Sequence, residues 1–500
     1  MKVKSEKYIL SVDQGTTSSR AILFDNSGNI AGVAQKELTQ IYPSPGYVEH
    51  DAVEILETTL FAMRQAVAAA GISAKNIAAI GVTNQRETTV AWDKKTGLPI
   101  CNAIVWQCRR TTAICEQLKE AGLEKYIKDT TGLIIDPYFS GTKMKWILEN
   151  IPEAKTLADE NRLCFGTIDS WLIYSLTDGE TFVTDVSNAS RTMLFDINNL
   201  KWDSRLLSEM GIPVETLPKV VDSSCIVGHC KEQVFGEKIP IAGIAGDQHA
   251  ALFGQCCFSK GMVKNTYGTG CFVLMNTSNE PVKSDNGLLT TIAWKIDDEI
   301  TYALEGSAFN AGSAIQWLRD ELRIIDSASE CDVLAETVEN SGGAVFVPAF
   351  TGLGAPYWDM YARGILIGIT RGTTKAHICR AVLESIAFES YDLIELMQKE
   401  SESPITSLRV DGGASKSKLL MQYQSDLLNT EVSRPMCMET TALGAAMLAG
   451  LAVGIWGNLD EISSLWKINH VFSPDYLDSE RQTALQRWHK AVDRCRNWEK

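Results

Sequence analysis

Histidine is scarce in this chain of 500 residues. There are six, at positions 50, 229, 249, 377, 470 and 489, and no two form an H-x-x-x-H pair. Thirteen cysteines are present, yet no C-x-x-C occurs, and the closest groupings are Cys225/Cys230 and the adjacent Cys256/Cys257. Together these absences exclude the paired short spacings of a structural zinc site. An odd count with irregular spacing reads as reduced thiols of a cytoplasmic protein. Two nucleotide signatures are also missing: there is no G-x-x-x-x-G-K-[ST], and no G-x-G-x-x-G follows a strand pattern. Any nucleotide is therefore held by something other than a P-loop or a Rossmann turn. Positive charge is in deficit, with 47 Lys+Arg against 62 Asp+Glu and a formal net charge of −15. A phosphate backbone needs a basic face, so a nucleic-acid partner is excluded, whereas a small phosphate-bearing ligand needs only a few local donors or a metal ion.

Long apolar runs are equally few. The basic N-terminus leads into an apolar stretch that Asp13 interrupts, too short for a signal-peptide core. One segment imitates a membrane span: Thr440 to Leu459, "TTALGAAMLAGLAVGIWGNL", carries no charge. It is rich in Ala and Gly, with Gly444, Gly450, Gly454 and Gly457, and has no flanking basic cluster. Small residues at such spacing let a helix approach a neighbouring backbone, so the segment reads as a buried helix.

What is present is an ordinary globular composition, 45% hydrophobic and 22% charged, at a length that exceeds one hydrophobic core. Tyr8–Val12, Ala21–Phe24 and Ile30–Ala34 read as a β-meander whose first loop lies in "SVDQGTTSSR". A helix follows at Ala52–Ala70. The stretch Ile77 to Asp93 then reads as a strand, a polar turn and another strand, and Ile239 to Gln255 as a strand, a Gly-rich turn and a helix. The strand–polar loop–strand unit recurs at Gly261 to Thr277, and Leu408 to Leu428 reads as strand, Gly-Gly turn and helix. This recurrence suggests a duplicated domain with a boundary near Gly254 and a cleft between the halves.

Each candidate site has a plain alternative. In the first loop Asp13 could hold Mg²⁺ through water, Gly15 permits close approach, Thr16, Thr17 and Ser18 offer hydroxyls, and Arg20 offers charge. Gly268-Thr269-Gly270 is a similar loop in the second half, and either could be only a turn. Asp247 in "AGDQHAA" would be costly to bury unpaired, or it caps a helix. Arg86 and Glu87 could point into one cleft from a turn, or form an exposed ion pair. Trp106 and Tyr138 could equally be core aromatics, and His249, Cys256 and Cys257 are assigned to packing.

The ordered set "DQGTTSSR", "TNQRETT", "VWQCRR", "DPYFSGTK", "NASRTM", "GIAGDQ", "NTYGTGCF", "PAFTGLGAPYW", "DGGA" and "TALGAA" spans nearly the whole chain. It resembles the FGGY carbohydrate kinase family, specifically its glycerol-phosphorylating branch, within the actin/sugar-kinase/heat-shock ATPase superfamily. The resemblance implies an α/β fold of two ribonuclease-H-like domains, 1–253 and 254–500, flanking a central cleft. It implies ATP- and Mg²⁺-dependent in-line phosphorylation of glycerol to sn-glycerol 3-phosphate, the first step of glycerol utilisation, in a cytoplasmic homodimer or homotetramer. By matched positions, Asp247 is the general base, and Asp13 (on Mg²⁺) and Arg20 assist. Thr16, Thr17, Ser18, Arg20 and Thr269 line the phosphates, and Gly312, Gln316 and Gly413 contact the nucleotide. Ser417 stands where asparagine is common, which puts one nucleotide contact in doubt. Arg86, Glu87, Trp106, Tyr138, Asp247, Gln248 and Phe272 form the glycerol pocket. Between Ser223 and Ile239 the chain has neither the Gly/Arg loop associated with fructose-1,6-bisphosphate inhibition nor the phosphorylatable histidine of some bacterial relatives; His229 lies at a different place.

Overall fold

The computed structural model describes residues 7–500; the basic opening stretch 1–6 lies outside the described residues. Tyr8–Gln14 (β1), Ser18–Asp25 (β2) and Ile30–Glu37 (β3) form the expected meander, with Tyr8 opposite Asp25 and Gln14 opposite Ser19. Helix α1, Ala52–Ala70, covers the range read from the sequence. Asp51 caps its start by accepting from the Val53 and Glu54 N–H groups, and Gly71 ends it with a left-handed φ of 65°. Ile77–Asn84 (β4) runs parallel to β1. Ser224–Cys230 (β5) closes the edge antiparallel to Ile239–Gly246 (β6), which runs parallel to β4. The order is β5-β6-β4-β1-β2-β3.

The chain then passes through helix α2, Asp247–Gly254, into a second sheet. Its strands are Met262–Tyr267 (β7), Cys271–Ser278 (β8), Leu289–Ile296 (β9) and Glu299–Ala308 (β10), followed by Ser407–Asp411 (β11), Val432–Pro435 (β12) and Ile468–Phe472 (β13). The order β9-β10-β8-β7-β11-β12-β13 repeats the first sheet read from its other edge, with β9 as one additional edge strand. In both, an antiparallel hairpin precedes two strands parallel to the first, β4 and β6 in one half and β11 and β12 in the other. These are two ribonuclease-H-like units, as the duplicated loops imply.

The glycine-rich segment becomes helix α5, Thr440–Ala452, only 13 residues long. Among the described residues no helix is long and apolar enough to cross a membrane. Its small residues serve close contact instead. A Cβ on Gly444 would stand 1.8 Å from the Ala250 carbonyl oxygen of α2, one on Gly254 2.0 Å from that of Thr440, and one on Gly81 of β4 2.2 Å from that of Ala445. Helix α5 belongs to the second half of the chain yet lies against the first sheet. The core around it joins Ile9, Ile22 and Ala79 to Leu274 and Trp294. The two halves thus share one apolar seam, and its edge carries the site.

Candidate functional site

Three parallel strands of the first sheet end at one level: Asp13 stands opposite Thr83, and Thr83 opposite Ala245. The carboxyl ends of parallel strands are where open α/β sheets gather functional groups. Here they bring up Asp13 near the end of β1, Arg86 and Glu87 after β4, and Asp247 after β6.

Extended backbone would send Arg86 and Glu87 to opposite faces. Glu87 has a φ of 61°, and Thr88 N–H donates to the Arg86 carbonyl at 2.7 Å, so a tight turn carries both side chains into one cluster. The exposed-ion-pair reading is corrected: both are buried, and Arg86 Nε lies 3.9 Å from Glu87 Oε1. The closer partners lie far away in sequence. Arg86 donates from Nη2 to Glu305 Oε1 at 2.9 Å and from Nη1 to Glu305 Oε2 at 2.5 Å, while its Nε stands 3.1 Å from Asp247 Oδ1. Arg191 donates from Nε to Glu87 Oε1 at 2.6 Å and from Nη2 to Glu305 Oε1 at 3.2 Å. Burial alone would raise Glu305, but Arg191 and Arg86 hold it well below the usual carboxylate range. Burial keeps Glu87 raised despite the same two arginines. Buried charges of this kind persist only when each is paired.

Asp247 is the first residue of α2, and Gly246 occupies the cap position, so the helix-cap alternative is not observed. Its Oδ1 accepts from the Gln248 N–H at 2.7 Å and faces Arg86, and its side chain remains 31% exposed. Asp13 is partly buried, and burial followed by the charge of Asp247 pushes it up to about 7, with Arg20 opposing. Arg20 sits directly opposite Asp13 in the β1–β2 pair. It donates to Gln35 Oε1 from Nε at 3.0 Å and from Nη2 at 2.7 Å, and is paired with Glu439 just before α5.

The first loop is closed by Gly15 N–H donating to the Ser18 carbonyl at 2.9 Å. Thr16 Oγ1 accepts from Trp106 Nε1 at 2.9 Å and Ser18 Oγ from Gln35 Nε2 at 3.0 Å, so both hydroxyl protons stay free to donate; Thr17 is exposed. Trp106 meets Tyr138 edge-on, ring centroids 5.5 Å apart, so the two form one aromatic wall. The Arg191 guanidinium lies 5.5 Å from the Tyr138 ring centroid behind that wall.

The second sheet offers a matching face. Lys264 and Leu274, Thr266 and Phe272, Phe272 and Ser307, and Leu274 and Glu305 are cross-strand partners, which puts Lys264, Thr266, Phe272 and Glu305 on one side. Buried Lys264 donates to Gln248 Oε1 and, at 3.0 Å, to Thr266 Oγ1, linking the Asp247 turn to the end of β7. Burial brings its ammonium down to about 8. The loop beyond packs on helix α3, Gly312–Asp320: the Gly268 carbonyl accepts from Gly312 N–H at 2.9 Å and that of Thr269 from Ala311 N–H at 2.8 Å. A Cβ on Gly270 would meet the Ala308 carbonyl oxygen at 2.5 Å. Gln316 is exposed on α3, and Gly413 is exposed with open space around it. Ser417 is buried: it caps helix α4, Lys418–Leu428, accepting from Leu420 N–H at 3.1 Å, and donates to Asp332. Its hydroxyl is therefore committed to the helix packing of the second half.

Three charged neighbours of the cluster escaped the sequence reading: Arg191, Glu305 and Lys264. Each is a lone charge among apolar or small residues, as in "TYALEGSA", and a buried charge implies a partner that linear spacing does not name. His249 packs as expected, but its Nε2 also lies 3.0 Å from Thr291 Oγ1 on β9, and burial with nearby Arg86 holds it well below the usual imidazole range. The arrangement as a whole pairs a carboxylate able to take a hydroxyl proton with donors able to hold anionic oxygens.

The N-terminal domain profile of the FGGY family of carbohydrate kinases matches residues 8–254, and its C-terminal domain profile matches residues 263–453. The chain is 57% identical over 494 residues to a protein named glycerol kinase 2 from Thermotoga maritima, covering 99% of this chain and 100% of that one. It superposes on the crystal structure of Plasmodium falciparum glycerol kinase with ADP at a TM-score of 0.93, with 38% identity and 98% of each chain covered. A ligand-bound xylulose kinase from Lactobacillus acidophilus, 24% identical with 98% of each chain covered, shares the fold at a TM-score of 0.87.

Proposed function

Since the chain belongs to the FGGY family of carbohydrate kinases, we propose that it transfers the γ-phosphoryl group of ATP to a terminal hydroxyl of glycerol, giving sn-glycerol 3-phosphate and ADP. The geometric support is one contact: Asp247, partly open, with one carboxylate oxygen 3.1 Å from Arg86 Nε at the ends of three parallel strands. Glycerol is three hydroxyls on three carbons. Arg86, Glu87, Tyr138, Asp247 and Gln248 supply the hydrogen bonds, while Trp106 and Phe272 cover the carbons and exclude water. Asp247 accepts the proton of the attacking hydroxyl, the new O–P bond forms in line, and the bond to the β,γ-bridging oxygen breaks, releasing ADP. Thr16, Thr17, Ser18 and Thr269 donate to the phosphates, Arg20 adds charge beside Asp13, and Gly312, Gln316 and Gly413 border the nucleotide. Ser417, held by Asp332, shapes that border through α4.

The Asp13 carboxylate suits Mg²⁺, which prefers oxygen ligands: burial and the charge of Asp247 together raise it against the opposing charge of Arg20, and a bound cation would favour its ionised form. Bound there, the ion neutralises phosphate oxygens. Because burial penalises the ionised form of Asp13, the metal-free protein loses stability as pH climbs from 3.8 through about 7. Asp13→Asn removes that loss. Its melting temperature without metal should exceed that of the wild type at pH 8 and match it at pH 4, while its kinase activity falls; equal melting temperatures at pH 8 would contradict the assignment.

The substrate is tested by coupled ADP release over glycerol, dihydroxyacetone, xylulose and gluconate. Glycerol should give the highest kcat/KM, because a pocket of buried hydrogen-bonding groups penalises ligands that leave them unpaired. Preference for xylulose would reassign the substrate within the family.

A further inference from the structure

Glu305 is the one carboxylate in the ladder supplied by the second sheet: Arg86, Glu87, Arg191 and Asp247 all precede β7 in the chain. It holds Arg86 with two parallel hydrogen bonds and reaches Arg191 with the same Oε1. Both arginines touch proposed glycerol-pocket groups. Arg86 borders Asp247, and Arg191 grips Glu87 while its guanidinium underlies Tyr138. Arg191 Nη1 has no hydrogen-bond partner, so Glu87 and Glu305 are the carboxylates that fix the direction of that guanidinium against the Tyr138 and Phe139 rings. One carboxylate across the junction between the halves therefore sets the orientation of two sides of the pocket.

We propose that Glu305 is a positioning residue for the polyol, acting through Arg86 and Arg191, and that it holds both Arg86 Nη groups, so that Arg86 meets Asp247 through Nε rather than in a two-pronged pair. This rests on the phosphorylation of glycerol proposed above. Two arginines face three carboxylates here. With Glu305 neutralised, Arg86 retains Asp247 as its nearest anion, and a fork–fork pair between them occupies the oxygens that a substrate hydroxyl needs. Arg191, released on one side, no longer holds Tyr138 and Glu87 in register. The nucleotide groups Thr16, Thr269 and Gly312 make none of these contacts, so the defect falls on the polyol alone.

The test compares Glu305→Gln and Glu305→Asp with the wild-type full-length enzyme. Glu305→Gln should raise the KM for glycerol about tenfold or more and lower kcat about tenfold or more, leaving the KM for ATP within about twofold. Glu305→Asp keeps the charge but is one methylene shorter, and should recover most of kcat while its glycerol KM stays intermediate. A wild-type glycerol KM in Glu305→Gln overturns the proposal. So does a loss in which kcat falls with the folded fraction and neither KM moves, which is what a purely structural role yields. Should Glu305→Gln not fold, Glu305→Asp decides: wild-type constants overturn the proposal, and a selective rise in glycerol KM supports it. The wild-type assay separates the two readings, since a wild type that fails on glycerol but turns over another polyol refutes the substrate assignment. The Glu305 comparison is then made with that polyol.

Discussion

Asp247→Asn should leave glycerol phosphorylation roughly 100- to 10,000-fold slower, the range over which a positioned general base contributes. Asparagine keeps the shape, can still accept from the Gln248 N–H and stands beside Arg86 Nε, where the aspartate forms an ion pair. It cannot take up a proton. Folding and nucleotide binding should therefore survive, and the loss should appear in kcat with little change in the KM for ATP. A rate near that of the wild type would refute the base assignment, because no other carboxylate in the cluster is free for the task. Glu87 and Glu305 are buried against the two arginines, and Asp13 is assigned to the metal.

Gly444→Val should produce the largest loss of stability. Its Cβ would stand 1.8 Å from the Ala250 carbonyl oxygen, 2.7 Å from its carbon and 2.9 Å from the Gly254 nitrogen. These are backbone atoms of α2, so no rotamer change relieves the clash and the two helices must separate. Overpacking costs about 1–3 kcal/mol, which for units of this size lowers the melting temperature by roughly 2–12 °C, and a backbone clash belongs at the upper end. Activity should fall too, because α2 begins at Asp247 and moves with the packing. Gly372→Ala is the control: its methyl would meet nothing nearer than Thr370 Oγ1 at 3.7 Å. Equal melting curves for the two variants would show that close approach of α2 and α5 is not what Gly444 provides.

Much of this fold was legible along the chain because it is locally encoded. Strand alternation broken by "DQGTTSSR" and again by "YGTG" marks two hairpins, and apolar periodicity after Asp51 marks α1 with its cap. The first 13 residues of the charge-free segment at Thr440 form a buried helix, as the small residues imply, whereas Val453 to Leu459, with Gly454 and Gly457, lie past its end. The resting place of that helix was not legible, since the partners of Gly444 and Ala445 lie at Ala250 and Gly81. The site divides the same way. Asp13, Thr16, Arg86, Glu87 and Asp247 stand in short polar breaks after apolar strands, where sequence alone draws attention to them. Arg191, Glu305 and Lys264 lie inside strands or turns that carry no such mark.

Taken alone, the sequence determined the elements, the duplicated order of the two halves and the polar turns at the strand ends, because each depends on neighbours a few residues away. Tertiary structure alone decided which charges meet. Arg86 finds Glu305 at a separation of 219 residues and Arg191 finds Glu87 at 104. A charge removed from water must be paired wherever the fold supplies a counter-charge, and that place depends on how two sheets close on each other rather than on any spacing along the chain.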